Sequence, residues 1–154
     1  MALLNILKEG DETLRKVSRP VTEITPRIKT LLDDMTETMR RAEGCGLAAV
    51  QVGVLRRVVV IEVEEGKVYE MINPVIVDRR GRQEDREGCL SVPGRSGITR
   101  RPARVTVRYL DRDGVEQTLT GDGLLARAIC HETDHLDGKL FIDEMIEEIF
   151  FDED

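Results

Sequence analysis

Two segments of helical periodicity bracket a long series of strand-like pieces, an order that lacks βαβ alternation and points to an α+β domain. The first begins at Thr25-Pro26, a capping residue followed by proline at the first helical position. Ile28, Leu31, Leu32, Met35, Met39 and Ala42 then recur at helical spacing, and Gly44 is the expected stop. The second, "GDGLLARAICHETDHLDG" at 121–138, is expected to be capped near Asp122 and ended by Gly138. Between them lie "RRVVVIEV" (56–63), "VYEMI" (68–72), "PVIVD" (74–78), "RVTVRYL" (104–110) and "VEQTLT" (115–120). A turn is expected at "EEGK", and "DRDG" is a hairpin signal, because Asp-Gly supplies the turn geometry. The expectation is a single domain over 1–154, with mixed or antiparallel sheets packed around the second helix as the central one.

Composition narrows the class. A formal charge of -7 argues against a non-specific nucleic-acid binder, which needs a basic face. No apolar run approaches the roughly 20 residues of a membrane span, and "MALLNILKEGDE" is too short and too soon acidic for a signal peptide. Cys45, Cys89 and Cys130 make an odd set, read as free thiols or metal ligands rather than a disulfide framework. The expected location is cytoplasmic.

The chain's only two histidines, His131 and His135, stand one helical turn apart in "HETDH", so both can grip one ion. Glu132, rotated by about 100° from His131, lies beside that ion, where it suits a base acting on metal-activated water. Leu124, Ala128, His131 and His135 form one stripe, with Leu125, Ile129, Glu132 and Leu136 on the next. Both stripes are mostly apolar, so the helix is expected to be buried, and a buried ionisable trio needs partners that a metal supplies. Two histidines do not complete a catalytic site, which uses about three protein ligands. Glu144, Glu147 and Glu148 are available as the third; Cys45 and Cys89, each beside glycine, compete evenly, while Cys130 reads better as a packed core thiol.

Three segments, "GCGLAAVQ" (44–51), "EGCLS" (87–91) and "HETDH" (131–135), together resemble the three motifs of the peptide deformylase family, in order and with matching spacing. Weaker similarity runs through "LRKVSRPV", "NP", "DRDG" and "GKLFID". The resemblance implies a metal-dependent amide hydrolase that removes the formyl group from the N-terminal formyl-methionine of newly synthesised polypeptides. It places the metal ligands on Cys89, His131 and His135, and the proton shuttle on Glu132. The oxyanion donors fall on the Gln51 side chain and the Leu90 backbone N–H. Cys45 becomes a pocket-wall thiol. One divalent metal per chain is implied, usually Fe(II), with Zn(II), Ni(II) or Co(II) as substitutes suited to the same sulfur and imidazole set. Gly44 and Gly46 are expected to let the loop approach a peptide closely. Leu125, Ile129 and Cys130 are expected to wall a methionine pocket, with Cys45 and Gly46 opposite. Glu87 and Ser91 are expected to serve in hydrogen bonding around the ligand strand.

Two departures from the family pattern stand out. Cys130 replaces a glutamine common before the first histidine. The ending "EMIEEIFFDED" is short and acidic where many bacterial members carry a basic helix associated with the ribosome, so contact through such a helix is not expected. The expected partners are formyl-methionyl nascent peptides, with no nucleic-acid motif and no membrane. The rival enzyme, a small zinc endopeptidase, is disfavoured by Gln51 and "EGCLS". The non-enzyme rival, a structural metal in a peptide-binding fold, leaves Glu132 without a role.

Overall fold

The computed structural model describes residues 2–150; of the acidic tail, 151–154 lie outside them. Helix α1 spans Pro26–Arg41 and starts as expected, with the Thr25 hydroxyl accepting from the Ile28 N–H. Its end differs from the expectation. The left-handed residue is Glu43 (φ 59°), and the Gly44 N–H closes back on the Met39 carbonyl at 3.0 Å. Gly44 is required for another reason: a Cβ there would sit 2.6 Å from Leu90 Cδ1. Its lack of a side chain therefore lets the 44–46 loop close on Leu90.

Strands β1 (Gly46–Ala48), β2 (Val58–Glu64) and β3 (Lys67–Arg80) are followed by β4 (Gln83–Cys89) and β5 (Val92–Arg101). Strands β6 (Arg104–Leu110) and β7 (Glu116–Asp122) then lead into helix α2 (Gly123–Leu136), and β8 is Met145–Ile149. One sheet has the order β1-β2-β3-β6-β7 and the other β4-β5-β8, and every named strand pairing is antiparallel. The α+β architecture thus takes its antiparallel form.

The continuous apolar run of β2 follows from burial on both faces. Val58 and Val60 pack with Leu32, Met35 and Met39 of α1, whereas Val59 and Ile61 pack with Ala126 and Ile129 of α2. Helix α2 also contacts β5 of the second sheet, so it lies centrally. The two expected strands at 68–72 and 74–78 are one strand interrupted by a register shift. Asn73 takes a positive φ there, and its amide exchanges two 2.8 Å hydrogen bonds with the Val21 backbone. The hairpin at 111–114 forms as expected, with Asp111 accepting from the Asp113 and Val115 N–H groups and Gly114 at φ 78°.

Gly138 ends the turn after α2 at φ 75°, and a Cβ there would overlap the Arg15 backbone. Gly138→Ala is expected to lower stability by about 2 kcal/mol through backbone strain alone. Equilibrium denaturation measures this, and an unchanged midpoint would show that neither the positive φ nor the contact with Arg15 resists a side chain at 138.

Candidate metal and active site

Three side chains from two elements converge on one point. Cys89 ends β4, while His131 and His135 project from successive turns of α2. Cys89 Sγ lies 3.3 Å from His135 Nε2, which lies 3.1 Å from His131 Nε2. The three potential ligand atoms fall within 4.8 Å of one another. On the far side of its ring, His131 Nδ1 meets Glu87 Oε2 at 2.5 Å. A carboxylate there calls for the proton on Nδ1, which leaves the Nε2 lone pair directed at the cluster. Two buried imidazole nitrogens and a sulfur facing each other this closely cannot all be satisfied mutually. A thiolate and two neutral imidazoles are, however, a fitting donor set for a borderline divalent metal.

Glu87 is the hub behind the cluster. It accepts from Thr99 Oγ1 at 2.7 Å, from Arg101 Nη2 at 2.6 Å and from Arg127 Nη1 at 2.8 Å. Burial alone would raise its pKa, but the hydrogen bonds and charges of His131 and Arg101 hold it well below the usual carboxylate range. Glu132 feels the same two charges but accepts no hydrogen bond among the described residues. Burial pushes its carboxyl up to about 7, and its buried Oε1 makes no hydrogen bond. Burial and the charge of His131 lower His135, whereas the charge of Glu132 and contacts with Cys89 and Glu87 outweigh burial to raise His131.

Gln51, expected in a glycine-bracketed loop, is buried in a short 3-10 turn, Ala49–Val52. Its Oε1 accepts from the Ala48 N–H at 2.9 Å, and its Nε2 donates to Ser91 Oγ at 3.0 Å while lying 3.6 Å from Cys89 Sγ. The side-chain amide is thus fixed in orientation beside the sulfur. Leu90 sits at the turn joining β4 to β5.

A cavity of about 380 Å³ opens over Gln51, Cys89, His131 and Glu132. Cys45, Gly46 and Leu90 line one side, with Leu124, Arg127 and Ala128 from α2 also in its wall. Three of the expected wall residues are elsewhere. Ile129 is fully buried against Val59 and Ile61, and Leu125 packs over Gly121. Cys130 lines a separate groove with Thr133 and Asp134, its thiol pushed up to about 11 by burial. The reason is helical phase: residues three, four and seven before His131 share its face, and those are Ala128, Arg127 and Leu124. The Leu124–Ala128–His131 stripe carried that signal. Arg101, Thr99 and Asp134 escaped the sequence reading altogether; nothing local marks them.

Gly46 carries the closest constraint, since a Cβ on it would overlap the Glu132 carboxylate. Gly46→Ala is expected to displace Glu132 and lower kcat about 100-fold, on the scale that a 1 Å misplacement costs. Steady-state kinetics alongside metal content tests this; full activity would show that the carboxylate has room to move.

Residues 3–149 match the polypeptide deformylase family. A peptide deformylase of Acetivibrio thermocellus is 59% identical over 154 residues, covering 100% of this chain and 89% of its own. That of Thermoanaerobacter pseudethanolicus is 55% identical, covering 100% of this chain and 95% of its own. The crystal structure of a peptide deformylase from Legionella pneumophila superposes with a TM-score of 0.91 at 44% identity, over 94% of this chain and 86% of that one.

Proposed function

The chain belongs to the polypeptide deformylase family, and from that premise we propose that Cys89, His131 and His135 hold its divalent metal while Glu132 moves the proton. It is a metal-dependent hydrolase that removes the formyl group from the N-terminal formyl-methionine of newly synthesised polypeptides, releasing formate. The observation that best supports the residue roles is the buried, unpartnered Oε1 of Glu132, a cavity-lining residue, on the helix that supplies two of the three converging ligand atoms. When bound, the metal lowers the pKa of water and polarises the formyl carbonyl. Fe(II) is our assignment for the metal in the cell, with Zn(II), Ni(II) or Co(II) as substitutes.

Glu132 takes the proton of the attacking water at its carboxylate and passes it to the departing amine nitrogen. A carboxyl poised near 7 suits both halves of that task, accepting and then donating at neutral pH. Gln51 Nε2 donates one hydrogen to Ser91 Oγ and directs the other at Cys89 Sγ, and turning that second hydrogen from the sulfur to the developing oxyanion lets it serve with the Leu90 backbone N–H. Cys45 and Gly46 flank the bound peptide on one side, and the side chains of Leu124 and Ala128 receive its methionine on the other. A formyl group is smaller than any other acyl group, so a close cavity floor at Glu132 excludes acetylated chains by size. Among the described residues, no helix is long and apolar enough to cross a membrane. We place the enzyme in the cytoplasm, where its substrates are made.

Anaerobically prepared protein is expected to release formate from a formyl-Met tripeptide and to leave the acetyl-Met analogue intact. Absence of release by metal-loaded protein would count against the assignment.

A further inference from the structure

We propose that Arg127 is a positioning residue for the metal centre, acting through Glu87 on His131. Arg127 and His131 stand one turn apart on the same face of α2. Both side chains reach the same carboxylate: Arg127 Nη1 donates to Glu87 Oε1 at 2.8 Å, and His131 Nδ1 meets Oε2 at 2.5 Å. Glu87 thus spans one helical turn, its Oε1 taking Arg127 and its Oε2 holding the ligand together with Arg101 Nη2.

The last torsion of a glutamate is soft and roughly two-fold, so the direction of Oε2 depends on what fixes Oε1. Arg101 touches both oxygens, but it is shared, since its Nη1 also donates to Asp134 at 2.6 Å. Arg127 has no carboxylate partner other than Glu87 among the described residues. Its other hydrogen bonds go to the hydroxyl and carbonyl of Thr99. The Arg127 and Glu87 side chains are 5% and 4% exposed, so water has little room to replace a lost donor. Arg127 also lines the cavity, which makes one residue both a wall of the substrate space and a brace of the metal ligand. Without the brace, Oε2 can turn from Nδ1, and the imidazole loses the bond that fixes its ring and aims Nε2.

The inference rests on Cys89, His131 and His135 being the ligands. Its test is Zn(II) affinity, measured by chelator competition on metal-free wild type, Arg127→Met, Arg127→Lys, Glu87→Gln and the Arg127→Met/Glu87→Gln pair, with unfolding midpoints of each. Arg127→Met is expected to weaken zinc binding about 10–100-fold, the usual cost of losing an outer partner of a ligand. Arg127→Lys keeps a cation within reach of Oε1 and is expected to recover most of that loss. In the Glu87→Gln background, Arg127→Met is expected to cost nothing further, because its path is already broken. Wild-type affinity in Arg127→Met, or additive losses in the pair, would overturn the positioning role and leave only packing. Should the methionine variant not fold, Arg127→Gln is read against Arg127→Lys in the same way. Wild type that takes up no zinc would sink the ligand assignment, and the proposal with it.

Discussion

Glu132→Ala is expected to lower kcat for formate release by a factor of about 10²–10⁴ while the protein retains its metal. The carboxylate lies in the cavity floor, one Oε1 unpartnered and the other oxygen pressed against the bare backbone of Gly46. Only the charges of His131 and Arg101 offset its burial, in contrast to Glu87, which takes hydrogen bonds from Thr99, Arg101 and Arg127. A group kept buried, half-unsatisfied and at about 7 costs stability and is retained for chemistry. Glu132→Gln should therefore match the alanine variant in lost turnover yet unfold at an equal or higher temperature than wild type. Formate release, metal content and thermal unfolding on the same preparations distinguish the outcomes. Turnover surviving in both variants would remove Glu132 from the proton path.

The second large effect is expected from Cys89→Ala. Removing the thiolate leaves His131 and His135 alone, and two imidazoles do not make the three-ligand site that a catalytic metal needs. The loss of metal affinity should exceed the roughly 10–100-fold typical of an outer partner, and activity should disappear with the metal. Cys45→Ala is the matched control. Its side chain lies at the cavity wall and outside the ligand cluster, so metal content should not change. Metal analysis after dialysis, with formate release, decides the matter. A Cys89→Ala protein that keeps one ion per chain would move the third ligand to another residue.

The parts of the molecule legible in the sequence are those whose pattern is local. The 3.6 period of α1 and α2, the Asp-Gly turn at 113–114 and the apolar run of β2 each reflect a short stretch meeting a single environment. Strands β4 and β5 left no such trace. "QEDREGC" and "VPGRSGITRR" alternate little apolar surface, and cross-strand pairs such as Glu84 with Arg100 join them. The Asn73 interruption was equally hidden, because its anchor is the Val21 backbone far away in sequence. At the site, spacing on one helix brought out His131, Glu132 and His135, and the family motifs pointed to Cys89, Gln51 and Leu90. The pocket wall was misplaced by one position along α2, from Leu124 and Ala128 to Leu125 and Ile129. On a helix, that single step turns a side chain from the cavity into the core.

The candidate ligand cluster joins the end of β4, in the smaller sheet, to two turns of helix α2 in a distant stretch of chain. No such cluster exists until β4 and α2 have met, so ion capture must follow closure of that long-range contact, which spans 46 residues between Cys89 and His135. Whatever ion the mature protein carries then acts as a clasp on the assembled topology. By mass action, an ion present at about a thousand times its dissociation constant adds roughly 4 kcal/mol to the folded state. A cell that starves this enzyme of metal would therefore shorten the lifetime of the protein itself as well as slowing its turnover.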